Sequence, residues 1–343
     1  CMDLVWDLQA ARMQILLADA LAKTGAEKRL VAKAVACLDL RALKANRWPA
    51  VEASITKMET VLAPLSKRAH ELTVHLIGHA HIDMDWLWTW SATVHCIRRD
   101  FKATADLMDK YLELTFTHSQ APTYDVVRRM DPDVFRKVQQ RVAEGRWENA
   151  AGTWVEGDLN MADGESLARH MLYATDWTRK HLGNQAMVFW APDTFGHPGN
   201  MPQLAKLGEL DCYFHMRCNP GKPETWPARK WTGIDGTSIT AFTENYNGER
   251  TPRSGLNQAL HCYRHGLKNS SHLWGTGDHG GAMSRWQIEM LKRYRFRPVV
   301  PTIRFSTMKG VLAALRTENP RLPCNKGETL SSFEGCFSVH SQI

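Results

Sequence analysis

Val74-His75-Leu76-Ile77-Gly78-His79-Ala80-His81-Ile82-Asp83-Met84-Asp85-Trp86 opens as an apolar run of strand character and closes in a burst of metal-type ligands. Successive side chains on a strand alternate faces, so His79, His81 and Asp83 are expected to point the same way. Two imidazoles and a carboxylate converging on one side begin a site for zinc or a similar cation. A lone histidine at a strand end more simply hydrogen-bonds a neighbouring loop; the H-x-H-x-D spacing favours the metal.

Downstream of this stretch, strand, polar cluster and helix alternate. Apolar runs at 72–77, 112–116, 147–151, 186–190, 211–214, 238–242, 272–274 and 299–305 read as strands, most of them followed by helical spacing. Such alternation predicts an α/β fold with a mainly parallel sheet, closed or open. Nearly every run ends, on its C-terminal side, in Asp, His, Glu, Arg, Tyr or Trp. In α/β barrels the active site is assembled from those ends, so a barrel-like sheet is expected, with a doubly wound open sheet as the alternative. Upstream, residues 3 to about 68 read as helices. Leu4, Val5, Leu8, Ala11, Ile15 and Leu16 supply the first apolar stripe, Gly25 a break, and Pro49 and Pro64 later boundaries.

The chain has 343 residues, enough for one large domain or two smaller ones. An excess of 43 Lys+Arg over 36 Asp+Glu is scattered over helices in doublets such as Arg98-Arg99, without a basic run or stacking motif. That pattern describes solvated helix faces and argues against a nucleic-acid partner. No stretch is long and apolar enough to span a membrane. Eight dispersed cysteines without a C-x-x-C pair read as reduced thiols, for which a cytoplasmic setting is expected. The start at Cys1 and the polar stop at Ile343 suggest a piece of something longer.

Two further segments carry chemistry. In Ala191-Pro192-Asp193-Thr194-Phe195-Gly196-His197 the proline restricts the backbone before it and the glycine permits a sharp exit, exposing the Asp193 carboxylate. In Gly277-Asp278-His279-Gly280-Gly281 the glycines allow a ligand close to Asp278. Two carboxylates at one mouth suit glycoside hydrolysis, one as nucleophile and one as general acid/base, about 5 Å apart in retaining enzymes. Either could instead be a metal ligand or orient one. Trp86, beside the ligand cluster, is the tryptophan best placed to stack on a sugar ring.

Taken together, these segments resemble glycoside hydrolase family 38, the class II α-mannosidases. His79-Ala80-His81-Ile82-Asp83-Met84-Asp85-Trp86 is similar to the family's H-x-H-x-D-x-x-W, and Asp193-Thr194-Phe195-Gly196-His197 to its D-x-F-G-H. Gly145-Arg146-Trp147-Glu148, Gly152-Thr153-Trp154-Val155-Glu156, Gly164–Arg169, Gly277–Gly281 and Glu334–Ser341 also look like family segments, in the family's order.

The resemblance implies a seven-stranded, mainly parallel β/α barrel over residues 71–343, behind a helical segment 1–70. It implies retaining hydrolysis of α-mannosidic bonds through a covalent mannosyl-aspartate. A single zinc, replaceable by cobalt or manganese, would be held by His81, Asp83, Asp193 and His340. His79 falls outside that set, which overrides the reading from strand alternation. Asp193 matches the nucleophile and Asp278 the general acid/base. Trp86, Arg217 and Tyr246 match substrate-contacting positions. The partner implied is a mannose-containing oligosaccharide or glycoside, and a homo-oligomer is compatible with it. The family's later helical and β-sandwich domains are expected to be missing. Ala282-Met283-Ser284 departs from the glycine and proline-threonine that usually follow Gly280-Gly281. The rival readings are a metal-dependent amidohydrolase, which would need further histidines on the middle strands, and an inactive mannose-binding fragment.

Overall fold

The computed structural model describes residues 2–84, 86–218, 226–246, 252–275 and 280–330. Asp278 and His340, two of the residues singled out above, lie outside them. The chain divides into two compact units, Cys1–Leu76 with Arg250–His272 and Ser284–Arg304, and Ile77–Glu249 with Leu273–Met283 and Phe305–Ile343.

The first unit is largely helical, with helices at Met2–Leu21, Gly25–Ala36, Leu40–Lys44, Trp48–Leu62, Ser66–Ala69, Pro252–Arg264 and Arg285–Tyr294. Gly25 opens the second helix, so the break between the first two falls where expected, just before it. Thr24 caps that helix in a reciprocal box with Glu27, which satisfies two otherwise orphaned backbone donors. The buried stripe of the first helix matches the expected one at Ala11, with Leu8 and Ile15 packed against the core, and differs elsewhere. Met13, Leu17, Ala18 and Leu21 join Met58, Leu62, Val299 and Val300 in the core, while Val5 and Leu16 are exposed. The reason is Gln14, fully buried and donating to Glu59 Oε1 at 2.7 Å while accepting the Val299 N–H at 3.1 Å. A polar side chain with both ends satisfied can face a core that periodicity reserves for leucines.

Ten strands are described: β1 Thr73–Gly78, β2 Phe116–His118, β3 Trp147–Asn149, β4 Val188–Ala191, β5 Cys212–His215, β6 Ala228–Thr232, β7 Ser238–Thr243, β8 Asn269–Trp274, β9 Thr302–Ser306 and β10 Cys324–Lys326. Among the described residues their pairings form three sheets, in the orders β8-β1-β9, β10-β6-β7-β5-β4 and β2-β3. The fold is mixed α/β, and these pairings do not close into a ring. β2 and β3 are three residues each, too short to carry many ladder bonds.

The register of the five-stranded sheet prepares the site. β4, β5 and β7 are parallel, with Ala191 opposite His215 and His215 opposite Thr243. Three strand ends are therefore level, and the side chains just beyond them emerge together. β6 and β10, both unexpected, extend this sheet, β6 as an antiparallel partner of β7 through a turn containing Asp235-Gly236. Glu148 on β3 accepts the backbone N–H groups of Met308 and Lys309, both at 2.8 Å, at the start of helix Met308–Glu318. A carboxylate at a helix N-terminus is favourable there.

Gly275, one residue past β8, has φ +141°, and a Cβ on it would lie 1.9 Å from the His79 carbonyl oxygen. Gly275→Ala is expected to cost about 2–4 kcal/mol, because strained backbone and a backbone clash add. A denaturant midpoint within error of wild type would refute that.

Candidate functional site

β1 ends at Gly78, so the alternation that grouped His79 with His81 and Asp83 stops before it matters. His79 is buried, pairs through Nδ1 with the Thr117 carbonyl at 2.9 Å, and receives the Trp190 indole N–H on Nε2 at 3.4 Å. Burial holds its imidazole down at about 3, so it stays neutral. It is a packing histidine and not part of the ligand cluster.

His81 and Asp83 lie beyond it, with His81 Nε2 2.8 Å from Asp83 Oδ1. Asp193, two residues past β4, completes the group. One donor atom from each of His81, Asp83 and Asp193 lies within 4.8 Å of the others, the one such cluster found among the described residues. A nitrogen and two carboxylate oxygens at this spacing suit a divalent cation of zinc's type, so the residues present fit that group. Burial disfavours the charged form of His81. The bond to Asp83 and the charges of Glu156, Asp83 and Asp193 outweigh it and raise the imidazole above its ordinary value.

Arg217 stands two residues past β5, as Asp193 does past β4, and the level strand ends bring them together. Its Nε donates to Asp193 Oδ1, and its guanidinium also lies 5.2 Å over the Phe195 ring. Tyr246, just past β7, is buried with its ring 4.4 Å from that of His81. Burial, then the neighbouring Asp193 charge, pushes its hydroxyl far up. Trp86 is 61% exposed and meets Trp88 edge-on. These groups sit around a cavity of about 610 Å³ whose lining includes His81, Asp83, Trp86, Asp193, Phe195 and Arg217. The Gly280 N–H bonds the His81 carbonyl, and the Gly281 N–H bonds Asp100.

Two residues of this site were not among those singled out. Gln120, just past β2, has φ +66°, sparsely populated for a side chain of this kind. Its amide donates to the Ile82 carbonyl at 2.9 Å and accepts the Glu156 N–H at 3.0 Å, tying two loops together. Glu156 accepts the backbone N–H groups of Asp193 at 2.6 Å and Thr194 at 3.0 Å. Burial pushes its carboxyl up to about 7. An acidic residue at a strand's C-terminal mouth was the available signal.

The histidines a metal-dependent amidohydrolase would need are occupied otherwise. His118 pairs with Thr123 at 3.0 Å, and His215 lies between the Arg217 carbonyl and the Arg229 guanidinium. Arginine can only donate, so His215 Nε2 accepts and its Nδ1–H holds the Arg217 backbone.

A profile described as "Glycosyl hydrolases family 38 N-terminal domain" matches residues 71–335. Among similar proteins, Alpha-mannosidase 2C1 of Homo sapiens is 27% identical over 278 residues, 79% of this chain and 27% of that protein. Alpha-mannosidase G of Dictyostelium discoideum is 31% identical over 255 residues, 73% of this chain and 24% of that protein. The chain thus spans about a quarter of the length of these relatives. Among solved structures, an alpha-mannosidase from Enterococcus faecalis V583 superposes with a TM-score of 0.63 at 20% identity, covering 76% of this chain and 31% of that one. A 4-alpha-glucanotransferase from Thermococcus litoralis gives 0.56 at 12% identity, covering 76% and 40%. At such identities the structural likeness speaks to the fold alone.

Proposed function

The chain belongs to glycosyl hydrolase family 38, and on that premise we propose that it carries the catalytic site of a retaining α-mannosidase. The observation that carries this reading is Asp193, a carboxylate shared between the His81–Asp83 donor cluster and the Arg217 guanidinium at a large open cavity.

His81, Asp83 and Asp193, with His340 outside the described residues, would hold a zinc ion. Bound there, zinc would supply Lewis-acid coordination to vicinal sugar hydroxyls. Asp193 attacks the anomeric carbon, forming a C–O bond as the glycosidic C–O bond breaks. Arg217 keeps that carboxylate aimed by donating its Nε–H to Oδ1. Asp278 gives its proton to the departing oxygen, then takes one from the water that releases the mannosyl group. Trp86 offers an exposed aromatic face to the sugar, and Tyr246 closes the side over His81.

The family's seven-stranded barrel over residues 71–343, behind the helical segment 1–70, belongs to the same proposal. The parallel pairs β2–β3, β4–β5 and β5–β7 support it. Among the described residues Cys37, Cys96, Cys212 and Cys324 are free thiols, which suits a reducing, cytoplasmic setting. No helix among them is long and apolar enough to cross a membrane.

The test is hydrolysis of an aryl α-mannoside before and after a strong chelator. Turnover should fall at least about tenfold with the metal removed and return with added Zn2+, Co2+ or Mn2+. Unchanged turnover in metal-free protein would remove the cation from the reading. Sugar binding without turnover in any metal form would leave a mannose-binding module instead.

A further inference from the structure

Glu156 arrives from the loop after β3, in Trp154-Val155-Glu156-Gly157-Asp158, and meets two ligand-bearing segments at once. Its Oε1 accepts the Asp193 and Thr194 backbone N–H groups and lies 3.3 Å from the Thr194 hydroxyl. Its Oε2 faces His81 Nδ1 at 3.7 Å. Both of these last atoms are buried, and neither has a hydrogen-bond partner. On the opposite edge of the same ring, His81 Nε2 points to Asp83 and the donor cluster.

Two complementary orphans facing each other demand an explanation, because an unmade buried hydrogen bond costs about 1–3 kcal/mol. The chemistry of imidazole supplies one. A ring nitrogen ligates a cation only when it carries no proton, so a neutral His81 bound through Nε2 must keep its proton on Nδ1. Glu156 Oε2 is the acceptor aimed at that proton, needing an approach of somewhat under 1 Å to reach ordinary hydrogen-bond length.

We propose that Glu156 is a positioning residue of the cation site, accepting the His81 Nδ1–H so that Nε2 stays unprotonated and aimed at the metal. With its other oxygen it fixes the backbone of Asp193. One carboxylate thereby sets the geometry of two ligands from different strands. The Gln120 amide, bonded to the Glu156 N–H and to the Ile82 carbonyl beside His81, holds the span between them. This role rests on the divalent-cation reading above and adds to it the residue that sets the ligand's tautomer.

Glu156→Gln separates this role from a purely structural one. The glutamine oxygen still serves the Asp193 and Thr194 N–H groups, which leaves its NH2 facing His81 Nδ1. Two donors cannot pair, so the imidazole proton moves to Nε2 and blocks the cation. In alkaline buffer, with the ring neutral, 15N–1H long-range correlation spectra should show His81 protonated on Nδ1 in the wild type and on Nε2 in the variant. Zn2+ affinity by chelator competition should fall about 10–100-fold, with the metal-free melting midpoint little changed.

Equal affinity and an unchanged tautomer in Glu156→Gln would overturn the proposal. If the variant does not fold, the wild type alone decides, since a His81 protonated on Nε2 in the metal-free chain contradicts it. A wild type that binds no divalent cation sinks the parent reading, and the His81 tautomer still reports on Glu156 by itself.

Discussion

Asp193→Asn is expected to lower kcat/KM for an aryl α-mannoside by about 10³-fold or more, the loss typical of a removed covalent nucleophile. The amide is nearly the same shape, so it keeps the backbone N–H bonded to Glu156 and leaves the strand ends in register. It cannot attack carbon, ligates a cation more weakly, and offers Arg217 no charge. Fold loss is a poor explanation for the effect, because the Arg217–Asp193 pair is partly solvated, with side chains 23% and 22% exposed. Such a pair contributes about 0–1 kcal/mol, and the melting midpoint should move little. A fluorinated mannosyl substrate should label a peptide containing Asp193 in the wild type and leave the variant unlabelled. Activity within tenfold of wild type would end the assignment of Asp193 as nucleophile.

Acidification should unfold the chain well above the pH at which its surface carboxylates titrate. Burial holds His79 and His197 down at about 3, and His118 and His215 well below the ordinary imidazole value. In the unfolded chain each would take up a proton near pH 6.5. Below that pH the unfolded state therefore binds more protons than the native one, and stability falls as pH falls. For His79 and His197 together the slope is roughly 3 kcal/mol per pH unit, accumulating from about pH 6.5 toward 3. Three groups act the other way. His81 is raised, so its stabilisation is present at low pH and fades as pH rises through its folded value. Glu148, raised by burial, and Glu156, pushed up to about 7, likewise gain relative stability as pH falls from their folded values toward their unfolded ones. Four opposing histidines outnumber these three. Denaturant midpoints from pH 7 to 4 should drop steeply below about 6.5, whereas a flat profile to pH 5 would show that the histidines are not buried neutral.

The elements that were legible share one property, a local apolar run. Val188-Phe189-Trp190-Ala191 and Cys212-Tyr213-Phe214-His215 announce themselves as strands, and the described strands place them there. β6 did not, because Ala228-Arg229-Lys230-Trp231-Thr232 reads as polar. Arg229 is fully buried all the same, satisfied by Asn325 at 2.8 Å and Thr243 at 2.7 Å from neighbouring strands. The buried face of the first helix was hidden for the same reason, that partners distant in sequence make a polar side chain tolerable inside, whereas β10, three residues with two of them exposed, offers no apolar run at all.

The sequence by itself determined the α/β alternation, the helical start, and the loops that carry Asp83, Asp193 and Arg217, because apolar periodicity and ligand spacing are local properties. Only the tertiary structure decided what His79 packs against, the Thr117 carbonyl and the Trp190 indole, and that Glu156 reaches Asp193 across 37 residues. The physical cause is parallel register. Aligning Ala191, His215 and Thr243 puts the residues just past each strand side by side, a relation between strands that no single stretch encodes.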